Sequence, residues 1–221
     1  EERAVATRYE GGLNAAGQAE GHGVCTWVDG GTYSGEWRRG TRHGSGRGDG
    51  RGGTNGQGSY RGEWCFSKWH GHGTARMGGA TYTGQFRANL KEGRGVCRFA
   101  DGDSYSGQWL NDIQHGVGTY AYLDGQAEVG GFAAHRDLGI GVRWSADRQT
   151  AWRMHDGKGL GEISLPKARA PAGTLGLPVP PAPSRAPDEP AAGRSPAPPY
   201  SSRVLPARVP PALLMIPPHG R

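Results

Sequence analysis

The sequence predicts an all-β fold: an elongated single-layer antiparallel sheet of stacked β-hairpin repeats, followed by a disordered Pro-rich tail. Three observations carry this. A Tyr-x-Gly-x-aromatic cassette returns about every 23 residues, as Tyr33-Ser-Gly-Glu-Trp37, Tyr60-Arg-Gly-Glu-Trp64, Tyr82-Thr-Gly-Gln-Phe86 and Tyr105-Ser-Gly-Gln-Trp109. A Gly-x-Gly follows each at nearly constant distance, within His43-Gly-Ser-Gly46, His70-Gly-His-Gly73, Glu92-Gly-Arg-Gly95 and His115-Gly-Val-Gly118. All 16 prolines lie at or after Pro166, whereas 37 of the 41 glycines precede residue 164. A fixed period of this length marks a stacked array, in which each unit buries its apolar face only against its neighbours.

Within a unit, Tyr33, Gly35 and Trp37 are two apart and share one face of an extended strand. The glycine leaves room there for rings from adjoining strands. A loop is expected to carry the chain to Gly44-Ser-Gly46. A second short strand follows, as in Val24-Cys25-Thr26-Trp27 and Val96-Cys97-Arg98-Phe99, and Asp29-Gly30, Asp101-Gly102 and Asp124-Gly125 turn the chain back. Upstream, Tyr9-Glu-Gly-Gly-Leu13 with Gly21-His-Gly23 is a looser copy. The second copy carries an insertion between Arg47 and Ser59. Glu128-Val-Gly-Gly-Phe132 with Leu138-Gly-Ile-Gly141 has lost its tyrosine, and only Trp152, Gly157, Gly159 and Gly161 mark a last, capping unit. The predicted organisation is a flank over 1–8, an array of about six to seven units and roughly twelve strands over 9–163, and a disordered Pro/Ala-rich tail over 164–221.

The cassette, the Gly-x-Gly and the Asp-Gly before the next tyrosine together resemble the MORN (membrane occupation and recognition nexus) repeat, over about residues 9–161. The resemblance implies a non-enzymatic scaffold that binds a protein partner at a cytoskeletal, ciliary or membrane-associated assembly. Its alternative implication is a membrane-recognition module for anionic phospholipids such as phosphoinositides. MORN arrays also occur in lipid kinases and in a SET-domain methyltransferase; a chain that starts at Glu1 leaves room for being the non-catalytic part of such a kinase.

Charge bears on partners. Residues 1–163 hold 19 Lys+Arg against 18 Asp+Glu, and residues 164–221 hold 7 against 2, so the basic balance belongs to the tail and no nucleic-acid partner is expected. The one local basic run on the array, Arg38, Arg39, Arg42, Arg47, Arg51 and Arg61, is the candidate headgroup site. The candidate partner-binding row is Tyr33, Trp37, Tyr60, Trp64, Tyr82, Phe86, Tyr105 and Trp109. These rings either fill the thin core or leave a groove open for a partner. Trp69 falls outside the repeat frame and is not counted among the core rings. In the tail, Pro180, Pro183 and Arg185 fit a PxxPxR ligand of an SH3-type groove, and Ala212–Ile216 is too short to span a membrane.

Other constellations have plainer readings. His70 and His72, with His43 or His115, hold recurring repeat positions and lack a completing ligand, so no metal is expected. Gly44–Gly50 is glycine-rich but lacks the Lys-Ser/Thr of a phosphate loop. No catalytic constellation and no cofactor motif emerges. Cys25, Cys65 and Cys97 are too few for a disulfide framework. Cys25 and Cys97 fill equivalent positions as small buried side chains, consistent with a cytoplasmic setting.

Overall fold

The computed structural model describes residues 6–50, 58–133, 136–137 and 140–174. Their strands form one open antiparallel sheet, fourteen in sequence order across it and a fifteenth short strand paired off that path. The strands pair as successive hairpins: β1 (Ala6–Leu13) with β2 (Ala19–Trp27), β3 (Thr32–Arg38) with β4 (Thr41–Asp49), β5 (Ser59–Cys65) with β6 (Lys68–Met77), β7 (Ala80–Arg87) with β8 (Leu90–Arg98), and β9 (Ser104–Leu110) with β10 (Ile113–Ala121). β11 (Ala127–Ala133) pairs with both the two-residue β12 (Arg136–Asp137) and β13 (Ile140–Trp144), and β14 (Ala151–His155) with β15 (Lys158–Ile163) closes the order. Helix α1 (Leu165–Thr174) follows.

Two kinds of turn alternate along the sheet edges. At one edge the turns are two residues long with both φ angles positive: Arg39-Gly40 (49° and 72°), Phe66-Ser67 (48° and 61°), Ala88-Asn89 (52° and 77°) and Asn111-Asp112 (51° and 68°). This backbone twist matches that of the flanking strands. At the other edge Asp29, Asp101 and Asp124 close their turns by accepting the backbone N–H two residues on, at 2.9, 3.1 and 2.9 Å. The tightness of the first kind corrects the expected loop. No loop separates Trp37 from Gly44-Ser-Gly46; β4 starts at Thr41, and the Gly-x-Gly lies inside the strand.

Both glycines of that motif have a structural cause. The first sits at a β-bulge, where the register shifts between Gly35 and Glu36, between Gly62 and Glu63, and at the matching points of later hairpins. Gly71, for example, has φ +54°, a conformation that side chains rarely adopt. The fourth cassette residue caps the bulge. Glu36, Glu63, Gln85 and Gln108 each accept the N–H of the residue between the two glycines, at 2.9, 2.8, 2.8 and 3.1 Å. The second glycine pairs with the cassette glycine (Gly46 with Gly35, Gly73 with Gly62), and the tyrosine ring lies over that pair. A Cβ built on Gly73 would meet Tyr60 Cζ at 2.5 Å.

Three boundaries differ from the sequence reading. The sheet has fifteen strands rather than about twelve, because the two degenerate copies after residue 127 still form β11 to β15. The insertion is shorter than expected: β4 continues to Asp49, which pairs with Ser59. The expected disorder does not begin at 164, since residues 165–174 are helical and Ala168 is 0 % exposed against Val142, Trp144 and Ala151. Pro166 is tolerated because it lies in the first turn, where its missing N–H would have no partner in any case. The rest of the tail lies outside the described residues.

Candidate interaction surfaces

One face of the sheet is closed by its own aromatic rings. Tyr33 meets Trp37 and Trp64 edge-on at 5.1 and 5.2 Å, Tyr60 meets Trp64 and Phe86 at 5.1 and 5.2 Å, and Tyr82 meets Phe86 and Trp109 at 4.9 and 5.3 Å. Tyr105 continues the row to Trp109 and Phe132. Each tyrosine is thereby wedged between the aromatic of its own unit and that of the next, in the edge-to-face geometry rings prefer. The polar tips are satisfied locally. The hydroxyls of Tyr33, Tyr60, Tyr82 and Tyr105 donate to the carbonyls of Glu36, Glu63, Gln85 and Gln108 at 2.9 to 3.1 Å. The indoles of Trp37, Trp64 and Trp109 donate to Gly23, Gly46 and Gly95 carbonyls. Burial pushes the four tyrosine pKa values up.

All eight candidate partner-binding rings are therefore core, buried beneath one another. This corrects the expectation of an open aromatic groove: a residue hydrogen-bonded and wedged on both sides has no face left for a partner.

A second position in each unit completes the closure, and the sequence did not reveal it. Two residues before the first glycine of the Gly-x-Gly stand Arg42, Trp69, Lys91 and Gln114. Trp69 stacks on Tyr60 at 4.6 Å and is 5 % exposed, so it belongs to the core after all. Arg42 is buried with its guanidinium 4.6 Å from the Trp64 ring, and Lys91 Nζ is 5.1 Å from the Trp109 ring. Three unlike residues, Arg42, Trp69 and Lys91, fill one structural position because a cation and an aromatic ring both pack on a π face, and Gln114 is buried at the fourth. The turn of the following unit clamps this position. Ser67, Asn89 and Asp112 donate their N–H to the carbonyls of Arg42, Trp69 and Lys91 at 2.9, 3.0 and 3.0 Å. Their side-chain oxygens accept the N–H of the same three residues at 3.2, 2.8 and 2.9 Å.

The candidate headgroup arginines do not form one patch. Arg42 is buried under the rings, and burial lowers its pKa. Arg38 and Arg39 sit at the turn edge. Arg47 pairs with Asp49 at 2.9 Å and lies directly opposite Arg61 on the other face. Arg51, Pro180, Pro183 and Arg185 lie outside the described residues. His43 packs edge-on against Phe66 at 5.7 Å, and no group of three or more metal-binding side chains occurs among the described residues. All three cysteines are free, with Cys25 and Cys97 buried beside the tyrosines as expected.

The opposite face is open. Directly paired residues point the same way, so Arg47, Arg61, Thr74, Thr83, Val96 and Ser106 form one row across the strands, beside the glycine pairs. Over Gly84, Gly95 and Gly107 the face sinks into a concavity of about 260 Å³ flanked by Arg94, Val96, Gln108 and Val117. The row continues through Thr119 to Val129 and Val142, where α1 covers it. The tyrosine-less unit shows the changeover. Glu128 replaces the tyrosine, is 2 % exposed, and accepts from Arg143 Nη2 at 2.8 Å and from the Tyr122 hydroxyl at 3.0 Å. An ion pair thus ends the aromatic row where the apolar packing moves to the other face.

These features define a β-hairpin repeat array with one sealed and one open face. The MORN repeat model matches five times, over residues 9–32, 33–47, 60–76, 82–104 and 105–127, and the chain belongs to the MORN repeat family. No curated protein matches it. The copies from Glu128 onward lie beyond the matched repeats, in keeping with the loss of the tyrosine. Among the described residues no helix is long and apolar enough to cross a membrane.

Proposed function

We propose that this protein is a non-enzymatic scaffold whose array holds a protein partner on the sheet face opposite the aromatic row, in a cytoplasmic assembly associated with the cytoskeleton, a cilium or a membrane. MORN repeats are interaction modules, and the observation that carries the choice of face is the contrast between the two. Every ring of the aromatic row is spent on internal packing, while the glycine-floored face offers an open concavity bordered by Arg94, Val96 and Val117. The alternative reading, anionic phospholipid recognition, loses Arg42 to the core and Arg47 to Asp49, which leaves Arg38, Arg39 and Arg61 as scattered charges among the described residues.

Proximity labelling and co-precipitation with the full chain test this, alongside vesicle sedimentation at about 0.15 M salt, where the screening length is about 8 Å. The expected result is a protein partner lost from the double variant Thr83→Trp/Ser106→Trp, which fills the concavity without touching the core. Strong phosphoinositide-dependent pelleting, abolished by Arg38→Glu/Arg39→Glu, would establish the membrane reading instead.

A further inference from the structure

Resting on the scaffold reading, we infer that the open face takes an acidic amphipathic helix of its protein partner, laid across strands β5 to β10 beside the site of α1. Three observations lead there. First, the face already holds a helix. α1 buries Ala168 on Val142, Trp144 and Ala151, and Val142 lies in the same cross-strand row as Val96 and Ser106. The sheet surface is therefore shaped to receive a helix, and the uncovered stretch is continuous with that contact.

Second, the floor of the uncovered stretch suits an apolar stripe. Glycines Gly84, Gly95 and Gly107 leave it low, and Val96 and Val117 stand half-buried at its margins. A helix lays one such stripe into a groove and turns its polar flanks to the walls.

Third, the walls are basic. Arg61, Arg76, Arg94 and Arg98 are exposed on this face of β5, β6 and β8, and none of the four forms an ion pair among the described residues. On the same strands and face two carboxylates stand against them, and both are engaged by backbone N–H groups: Glu63 accepts from His72 at 2.8 Å and Glu92 from Asn111 at 3.2 Å. The near-neutral total for residues 1–163 conceals this local excess. Unpaired arginines around an apolar floor select carboxylates on the partner's flanks through fork-shaped hydrogen bonding. They also disfavour the chain's own residues 175–221, which belong to the basic end of the sequence. Phospholipid headgroups would answer the charge but not the narrow apolar floor.

The probe is a synthetic helix of about 18 residues, roughly 27 Å long, with leucines at i, i+3, i+4 and i+7 and glutamates flanking them, together with its lysine counterpart. Binding to the full chain is read by fluorescence anisotropy at two salt concentrations. The acidic peptide is expected to bind and to weaken with salt, the basic one not to bind. Arg94→Glu/Arg98→Glu, at exposed positions that leave the circular dichroism unchanged, is expected to weaken the acidic peptide at least about tenfold. The inference is overturned if the acidic peptide fails to bind, if charge reversal leaves its affinity unchanged, or if the same reversal instead abolishes pelleting with anionic vesicles or self-association of the chain. A cellular partner that the full chain captures equally well with and without Arg94→Glu/Arg98→Glu overturns this inference and leaves the scaffold reading intact. Absence of any partner that depends on the open face overturns the scaffold reading itself.

Discussion

Trp69→Ala probes whether the position before the Gly-x-Gly belongs to the core. Trp69 stacks on Tyr60 with ring planes 9° apart and meets Phe86 edge-on at 5.5 Å. Its truncation removes a nearly fully buried indole, and such changes cost about 3–5 kcal/mol. Trp64→Ala should cost a similar amount, with the Nε1 bond to Gly46 lost as well. The informative variant is Trp69→Arg. The equivalent position holds Arg42 in one unit and Lys91 in another, each above a ring. An arginine there keeps a long apolar stem and gains a cation–π contact of about 0.5–2 kcal/mol. The expected order of stability is therefore wild type, then Trp69→Arg, then Trp69→Ala. Urea denaturation followed by far-ultraviolet ellipticity measures it. Hydrogen exchange over β5 to β8 localises the effect, because repeat arrays need not unfold as one unit. A Trp69→Ala loss below about 1 kcal/mol, or an arginine variant no more stable than the alanine one, would refute the assignment.

Three further outcomes follow from the same geometry. Burial raises the pKa of Tyr33, Tyr60, Tyr82 and Tyr105, so the stability they contribute is complete below their unfolded value of about 10 and is lost as pH rises through the higher folded values. The slope approaches about 1.4 kcal/mol per pH unit for each tyrosine. Urea midpoints should decline slightly above about pH 8.5 as the buried Cys25 and Cys97 thiols resist ionisation, and fall steeply above about 10, with tyrosinate absorbance appearing together with unfolding. Glu63→Gln should change stability by less than about 0.5 kcal/mol, because Gln85 and Gln108 cap the same bulge, whereas Glu63→Ala should cost about 1 kcal/mol; thermal melts distinguish the two. Ala168→Arg overfills the contact of α1 with Trp144 and should cost about 1–3 kcal/mol, seen as faster exchange in α1, β13 and β14 with β3 to β8 unaffected.

The sheet was legible because its signals are local and repeated. Period-two cassettes, Asp-Gly turns and the interval of about 23 residues each depend on neighbours within one hairpin. The core tyrosines and tryptophans were legible for the same reason. Trp69 was not, since its position holds Arg42, Lys91 and Gln114 elsewhere, and no single side-chain class recurs for the eye to follow. The tight turns at Phe66-Ser67, Ala88-Asn89 and Asn111-Asp112 were hidden because non-glycine residues adopt positive φ there, sustained by hydrogen bonds to the preceding unit. The role of Glu36, Glu63, Gln85 and Gln108 was present in the sequence as an invariant choice of Glu or Gln across the four cassettes, but a bulge must be seen before a cap for it has meaning. Helix α1 was masked by Pro166 and by the Pro/Ala-rich composition it opens.

The division between faces explains why the aromatic row, offered by the sequence as a candidate partner surface, is core instead. Large aromatics are what an interface displays, and they are also what a single sheet needs when no second layer covers it. The register decides between these uses. With a glycine pair under each tyrosine and an aromatic on either side, the rings close the face completely, and the glycines that make room for them leave the other face low. The same residues thus seal one surface and hollow the other. At Glu128 the tyrosine is replaced by a carboxylate paired with Arg143, the row stops, and apolar residues Val142, Trp144 and Ala151 appear on the hollow side to receive α1. The fold therefore uses its second face where the first has run out, and α1 sets one boundary of what remains. The open stretch that remains lies on the β5 side of that boundary, where Arg94 and Arg98 stand exposed.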